Sequence, residues 1–316
     1  MSRSLFRGLS VGGLRLAVEA PPALPWRWPK GPLRRFACTA EHPDVRVRVR
    51  LGEPEAPPAH AVRYDSGGGI FDVARLGDEF VFALRIRGVL QRVARFDPAF
   101  REGEVVLAPD SIYARENYYP LAYPLDELVF LHRIVREGGL LLHACGLVRD
   151  ERALIFTGPS GAGKTTISRL AMRHAGARVL SDDRIVLRPE GQRVRIFGTP
   201  WHGDGELSER RSAPLAAIHV IRHAGQVIAE PLCGAGAAAA VLGNAFLPAH
   251  DPEGTSHALG FAASLVERVP VIRLGFPKDI RVVRYAFGAG AGAVAGPGGT
   301  RRGVHVPGEA AAPGVP

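Results

Sequence analysis

The sequence predicts an α/β fold whose core surrounds a phosphate-binding loop, preceded by a β-rich region. Three observations lead there. Residues 158–165, Gly-Pro-Ser-Gly-Ala-Gly-Lys-Thr, fit the pattern G-x-x-x-x-G-K-[ST]. From residue 124 to residue 275, short apolar runs alternate with stretches of helical spacing, the mark of strands mixed with helices. Before that, residues 1–122 carry strand-like alternation broken by Pro-rich pieces.

In the N-terminal region, Val45-Arg46-Val47-Arg48-Val49-Arg50-Leu51 alternates strictly, placing valines on one face of a strand and arginines on the other. Residues 66–69 read as a turn and 80–86 as a further strand. Residues 124–135 have the spacing of an amphipathic helix that opens a second unit, expected over 123–287. Strands are expected at 139–143 and 152–157, on either side of a turn. A helix follows the loop over 165–174. A strand at 178–181 ends in Asp182-Asp183, a hairpin spans 185–188 and 194–197, and a strand spans 216–222. Helices are expected over 234–247 and 256–268, with a closing strand at 271–275. Residues 288–316 are almost entirely Gly, Ala and Pro and predict a disordered tail.

The formal charge is +9, and residues 1–50 hold ten basic against three acidic residues. Nearly all of the basic residues are Arg, and together with abundant Ala, Gly and Pro this points to a compositional bias. No nucleic-acid partner is expected. The chain has three lysines, Lys30, Lys164 and Lys278, and one of them falls in the loop, where a compact ammonium is wanted. Cys38, Cys145 and Cys233 fit neither a zinc motif nor a disulfide framework. No run of apolar residues is long enough for a membrane span, and the first residues lack a signal-peptide core. A cytoplasmic location without membrane contact is expected, and self-association into a homo-oligomer is left open.

The loop predicts binding of ATP with Mg2+. Gly158, Gly161 and Gly163 let the backbone turn its N–H groups inward around phosphate oxygens, with Ser160, Ala162 and Thr166 completing the cradle. Lys164 supplies charge to the β- and γ-phosphates, the Thr165 hydroxyl can ligate magnesium, and the helix starting there offers its positive end. Asp182 and Asp183, at the end of an apolar strand expected to neighbour the loop strand, supply carboxylates. One would hold the metal (Asp183) and one would take an acceptor proton (Asp182), although the order can be reversed. His143 precedes the loop strand and can reach the phosphates. The loop 198–206, Gly-Thr-Pro-Trp-His-Gly-Asp-Gly-Glu, is a candidate acceptor-binding segment with Asp204 or Glu206 near the metal.

Residues 138–190 resemble the catalytic domain of HPr kinase/phosphorylase, a serine kinase with a phosphate loop. The likeness rests on a His before a short strand pair, the 158–165 loop, and a strand ending in Asp-Asp. The same core occurs in ATP-dependent phosphoenolpyruvate carboxykinases. Uncharacterised relatives also resemble the chain through residues 123–127 (Tyr-Pro-Leu-Asp-Glu) and 198–203. The resemblance implies a kinase transferring the γ-phosphoryl group to a hydroxyl, a serine of a protein or peptide. It implies phosphate and metal roles for Lys164 and Thr165, base and magnesium roles for Asp182 and Asp183, and a place near the acceptor for His143. A small-molecule kinase and a nucleotide-binding switch with little turnover are the alternatives.

Overall fold

The computed structural model describes residues 5–58, 62–65 and 71–288. The turn expected at 66–69 lies outside the described residues, and so does the tail expected at 288–316, apart from Gly288. The chain is a mixed α/β protein built on two large sheets.

The first sheet contains β1 (Leu5–Val11), β2 (Leu14–Ala20), β3 (Ala37–Cys38), β4 (Val45–Leu51), β5 (Val62–Asp65), β6 (Phe71–Leu76), β7 (Glu79–Ile86), β8 (Val89–Phe96) and β9 (Glu102–Leu107). Its order is β3-β1-β2-β4-β9-β8-β7-β6-β5. β4 shows why the alternation matters. Val45, Val47 and Val49 are buried, while Arg46, Arg48 and Arg50 face out. Glutamates on the flanking strands meet them: Arg48 Nε lies 3.6 Å from Glu19 and Arg50 Nε 3.1 Å from Glu104. The arginines of β4 therefore form a solvated face, and two of the three are paired across strands.

Two helices follow, α1 (Ile112–Arg115) and α2 (Leu125–Arg136). The second sheet begins with β10 (Leu140–Arg149) and β11 (Arg152–Thr157), and α3 (Lys164–Ala175) follows the loop. Next come β12 (Arg178–Ser181), β13 (Arg184–Glu190), β14 (Arg193–Gly198), β15 (Ser212–His223) and β16 (Ile228–Leu232). The chain continues through α4 (Gly234–Leu242), β17 (Ala245–Phe246), α5 (Pro252–Arg268), β18 (Val271–Phe276) and α6 (Arg281–Phe287). Pairing runs in a closed circuit: β10 with β11, β11 parallel with β15, β15 with β14, β14 with β13, and β13 back to β10. β18 extends the parallel part beside β15.

Three of the differences from expectation have a clear local cause. β10 runs on to Arg149 because Ala144, Cys145, Gly146 and Leu147 are buried between partners on both edges. The helix expected to 247 stops at Leu242. The Gly243 N–H donates to the Ala239 carbonyl, and the chain then extends so that Ala245 and Phe246 pair with Leu142 and Leu141. α5 starts early, at Pro252, because Asp251 caps it by accepting from the Gly254 N–H at 3.1 Å. No helix among the described residues is long and apolar enough to cross a membrane.

One buried cluster joins the two sheets, reaching from Leu9 and Trp26 through Phe130 and Leu141 to Ile218 and Val271. α2 is its spine, and a polar clasp sits at its edge. The His132 ring stacks on Phe100 at 4.0 Å between centroids. Its Nδ1 lies 3.1 Å from Asp251 Oδ2 and its Nε2 2.9 Å from His250 Nε2. A carboxylate only accepts, so Nδ1–H donates to Asp251, and His250 must donate to His132. Arg136 Nη2 completes the clasp 2.8 Å from Asp251. Burial pushes His132 down to about 4 against the pull of Asp251, and pushes His250 to about 3 with help from the neighbouring His132 and Arg136. Burial takes His219 to about 4, against a hydrogen bond with the Ile155 backbone.

These shifts predict acid lability. A histidine whose folded pKa is depressed binds its proton more readily when unfolded, so its contribution is complete above about 6.5 and is lost as pH falls toward 4. Asp126 and Glu127 work in the opposite sense, since burial raises both, Asp126 to about 7, but they are two groups against three. The melting temperature should fall by on the order of 5 °C or more between pH 7.5 and pH 5. A flat calorimetric profile across that range would contradict the neutral, buried state of the clasp.

Candidate functional site

The glycine loop leaves the C-terminal end of β11 and enters α3 at Lys164. That is the end of parallel strands where α/β proteins place ligands. Gly163 precedes the helix at φ 108°, in the left-handed region, and a Cβ there would lie 2.8 Å from the Phe276 ring. Gly158 and Ala162 are buried, Ser160 and Gly161 are exposed, and Thr165 and Thr166 are half-buried on the first turn of α3. The Lys164 ammonium donates to the Gly158 carbonyl at 2.9 Å and to the Pro159 carbonyl at 3.2 Å. Burial lowers its pKa, opposed by the charge of Asp183. His223, at the end of β15, meets the loop through Nε2, 3.0 Å from the Gly161 carbonyl.

The two aspartates reach the same end of the sheet by a route the sequence did not reveal. β12 does not neighbour the loop strand; it pairs with β10, which lies between them. The antiparallel run of β10 sets Ala144 opposite Thr157, and the Ala144 N–H donates to the Asp183 carbonyl at 2.9 Å. His143 is therefore carried to Asp183, with its Nε2 3.2 Å from Oδ1. Its backbone is held on both sides. The Thr157 hydroxyl donates to its carbonyl at 2.8 Å, and its N–H donates to the Asn244 carbonyl at 2.8 Å.

Asp182 and Asp183 have different surroundings. Asp182 is buried and accepts from the Gly203 N–H at 2.9 Å and the Gly205 N–H at 2.8 Å, one on each oxygen. A Cβ at Gly205 would collide with Asp182 Oδ2, which explains a glycine at this point of the 198–206 loop. Asp183 keeps an exposed edge. Burial would raise its pKa, but the His143 hydrogen bond and the charges of Arg184, His143 and Lys164 outweigh it and hold the carboxyl below its usual range. Lys164, Asp183 and His143 are thus brought together. Glu206 is not drawn in: it is exposed, and its N–H closes a turn onto the Gly203 carbonyl at 3.1 Å. Asp204 is also exposed.

Two residues given no role in the sequence reading sit in this site, Arg184 and Glu127. Arg184 Nη1 is paired with Asp183, and its Nε lies 2.9 Å from Glu127 Oε1. Their separation along the chain hides the pair; the only local hint is an acidic pair, Asp126-Glu127, on the first turn of α2. Trp201 packs on Phe130 and donates from Nε1 to Asp126 at 3.3 Å, so it lines the core. A groove of about 390 Å³ opens next to His143, lined also by Pro159, Gly243, Asn244, Ala245 and Phe246. Phe246 forms its aromatic wall, with the Arg184 guanidinium 5.0 Å from the ring centroid.

Oxygen-bearing side chains near the glycine loop include Thr165, on the first turn of α3, and Asp183, whose charge acts on Lys164. Among the described residues, no group of three or more His, Cys, Asp or Glu could hold a metal ion alone.

No family model matches the chain, and no curated protein matches it. Among solved structures it is similar to the Hpr(Ser) kinase/phosphatase from Coxiella burnetii, at 14% identity and a TM-score of 0.27, over 45% of this chain and 90% of that one. Overlap at that level establishes neither a shared fold nor a shared activity.

Proposed function

We propose that the chain is an ATP-dependent kinase with a phosphate-loop core of the HPr kinase type, transferring the γ-phosphoryl group to a hydroxyl, a serine of a protein or peptide. The observation that carries this reading is the pairing of Asp183 with His143, a groove-lining residue, within the charge field of the loop Lys164. Lys164 exchanges the loop carbonyls for phosphate oxygens when nucleotide binds. Asp183, oriented by His143, takes the acceptor proton, a role that fits its held, ionised carboxylate. Asp182 anchors the 198–206 loop, which reverses the order first expected for the pair. Magnesium held by Thr165, with phosphate and water oxygens completing its shell, would neutralise charge on the β- and γ-phosphates.

The groove beside His143 is open to solvent, which favours an extended peptide over an enclosed small molecule, and Trp201 is buried against Phe130 and unavailable as a pocket wall. One observation favours a nucleotide switch instead: the commitment of Asp182 to backbone leaves Asp183 as the single carboxylate facing the loop. Incubation with γ-labelled ATP, magnesium and cell lysate separates the readings. Label on a serine of a protein or peptide supports the kinase. Label on a small molecule, or only in inorganic phosphate, overturns the stated acceptor and favours a rival.

A further inference from the structure

The role of the first sheet is open in the reading above, and Arg92 on β8 points to one. Its side chain is fully buried and forms no ion pair among the described residues. Its guanidinium donates to the carbonyls of Pro120 and Ala122, the latter at 2.6 Å, and stacks on Tyr113 at 4.1 Å. Burial lowers its pKa, and among the nearby groups Asp126 pulls the other way. Burying a guanidinium without a paired carboxylate is expensive, and an apolar residue of similar volume would serve packing better. What Arg92 provides is a fixed position for the segment that enters α2. The first turn of α2 carries Glu127, which is largely buried and has one carboxylate oxygen, Oε2, without a partner. Its other oxygen, Oε1, holds Arg184, and Arg184 holds Asp183. A second tie runs the same way, from Arg35 in the first region to the Ser208 carbonyl at 3.0 Å, just beyond the 198–206 loop.

We propose that Arg92, Glu127 and Arg184 form a positioning series that aims Asp183, which makes the first sheet a working part of the site. The inference rests on the kinase reading for its consequence in turnover, but not for its geometry. Two readouts therefore test it. In protein labelled at histidine, the ring signals of His143 report the placement of Asp183 whether or not ATP turns over. Glu127→Gln and Arg92→Met should both move the His143 signals, while Glu190→Gln, at an exposed hairpin position, should not. In turnover, Glu127→Gln should lower kcat about tenfold and leave KM for ATP within about twofold. Arg184→Lys should recover part of the activity that Arg184→Ala loses. The double variant Arg92→Met/Glu127→Gln should be no worse than the poorer single variant, because residues in one series do not add. Should Arg92→Met fail to fold, Glu127→Gln and the Arg184 pair carry the test alone. Unmoved His143 signals, or losses that simply add and follow the melting temperature, would overturn the series. Absence of turnover in the wild-type protein with His143 signals that still respond would instead remove the kinase reading and leave the series standing.

Discussion

Lys164→Ala should abolish measurable phosphoryl transfer, lowering it by about 10³-fold or more, with a melting temperature near that of the wild type. The size of the effect follows from what the ammonium does. It is largely buried, it faces inward, and it donates to the Gly158 and Pro159 carbonyls of its own loop. A nucleotide takes over those hydrogen bonds with charged oxygens, and a preorganised charge in a partly desolvated site is worth far more than the same charge in water. Alanine removes the charge without disturbing α3, because it is the best helix former and the Lys164 carbonyl still accepts from the Ser168 hydroxyl at 3.0 Å. Lys164→Arg should rescue poorly, since a planar fork cannot replace a compact ammonium between two loop carbonyls. Calorimetric titration with ATP and a labelled-phosphate assay read the two effects separately. ATP affinity and turnover unchanged from wild type would remove the nucleotide site altogether.

What the sequence revealed and what it hid divide along a physical line. β4, β11, β12 and the β13–β14 hairpin are short runs whose own pattern of burial sets them, and each was legible. The loop was legible because its pattern demands a strand before it and a helix after it, and both are there. Long-range pairing was not legible. β10 meets β11, β12, β13 and β17, and nothing within residues 140–149 selects four partners scattered between 152 and 246. That pairing brings His143 to Asp183 and separates β12 from the loop strand. Charge partners were hidden for the same reason: Glu127 and Arg184 meet only after α2 docks. α6 was missed because its buried residues, Val282, Val283 and Ala286, make too short a pattern beside a Gly-rich end.

Asp183→Asn should lower phosphoryl transfer by on the order of 10²-fold or more while leaving ATP affinity close to wild type, the scale for losing a proton acceptor. Asparagine keeps the size of the side chain and one acceptor oxygen, so the His143 contact at 3.2 Å can survive; the basicity cannot. Asp182→Asn should behave differently although it is the neighbouring residue. Its two oxygens accept from the Gly203 and Gly205 N–H groups. An amide turns one oxygen into a donor, so one half-buried N–H faces an NH2 group and loses its partner, at a cost of about 1 kcal/mol, the low end for an unsatisfied donor. The visible effect should be a melting temperature lower by a few °C, with a smaller loss of turnover that tracks loosening of the 198–206 loop. The pair of variants therefore assigns the aspartates by two independent readouts. Asp182→Asn with normal stability and no turnover, beside an active Asp183→Asn, would return the base to Asp182. Normal transfer in both variants would end the hydroxyl-kinase mechanism and leave the nucleotide switch.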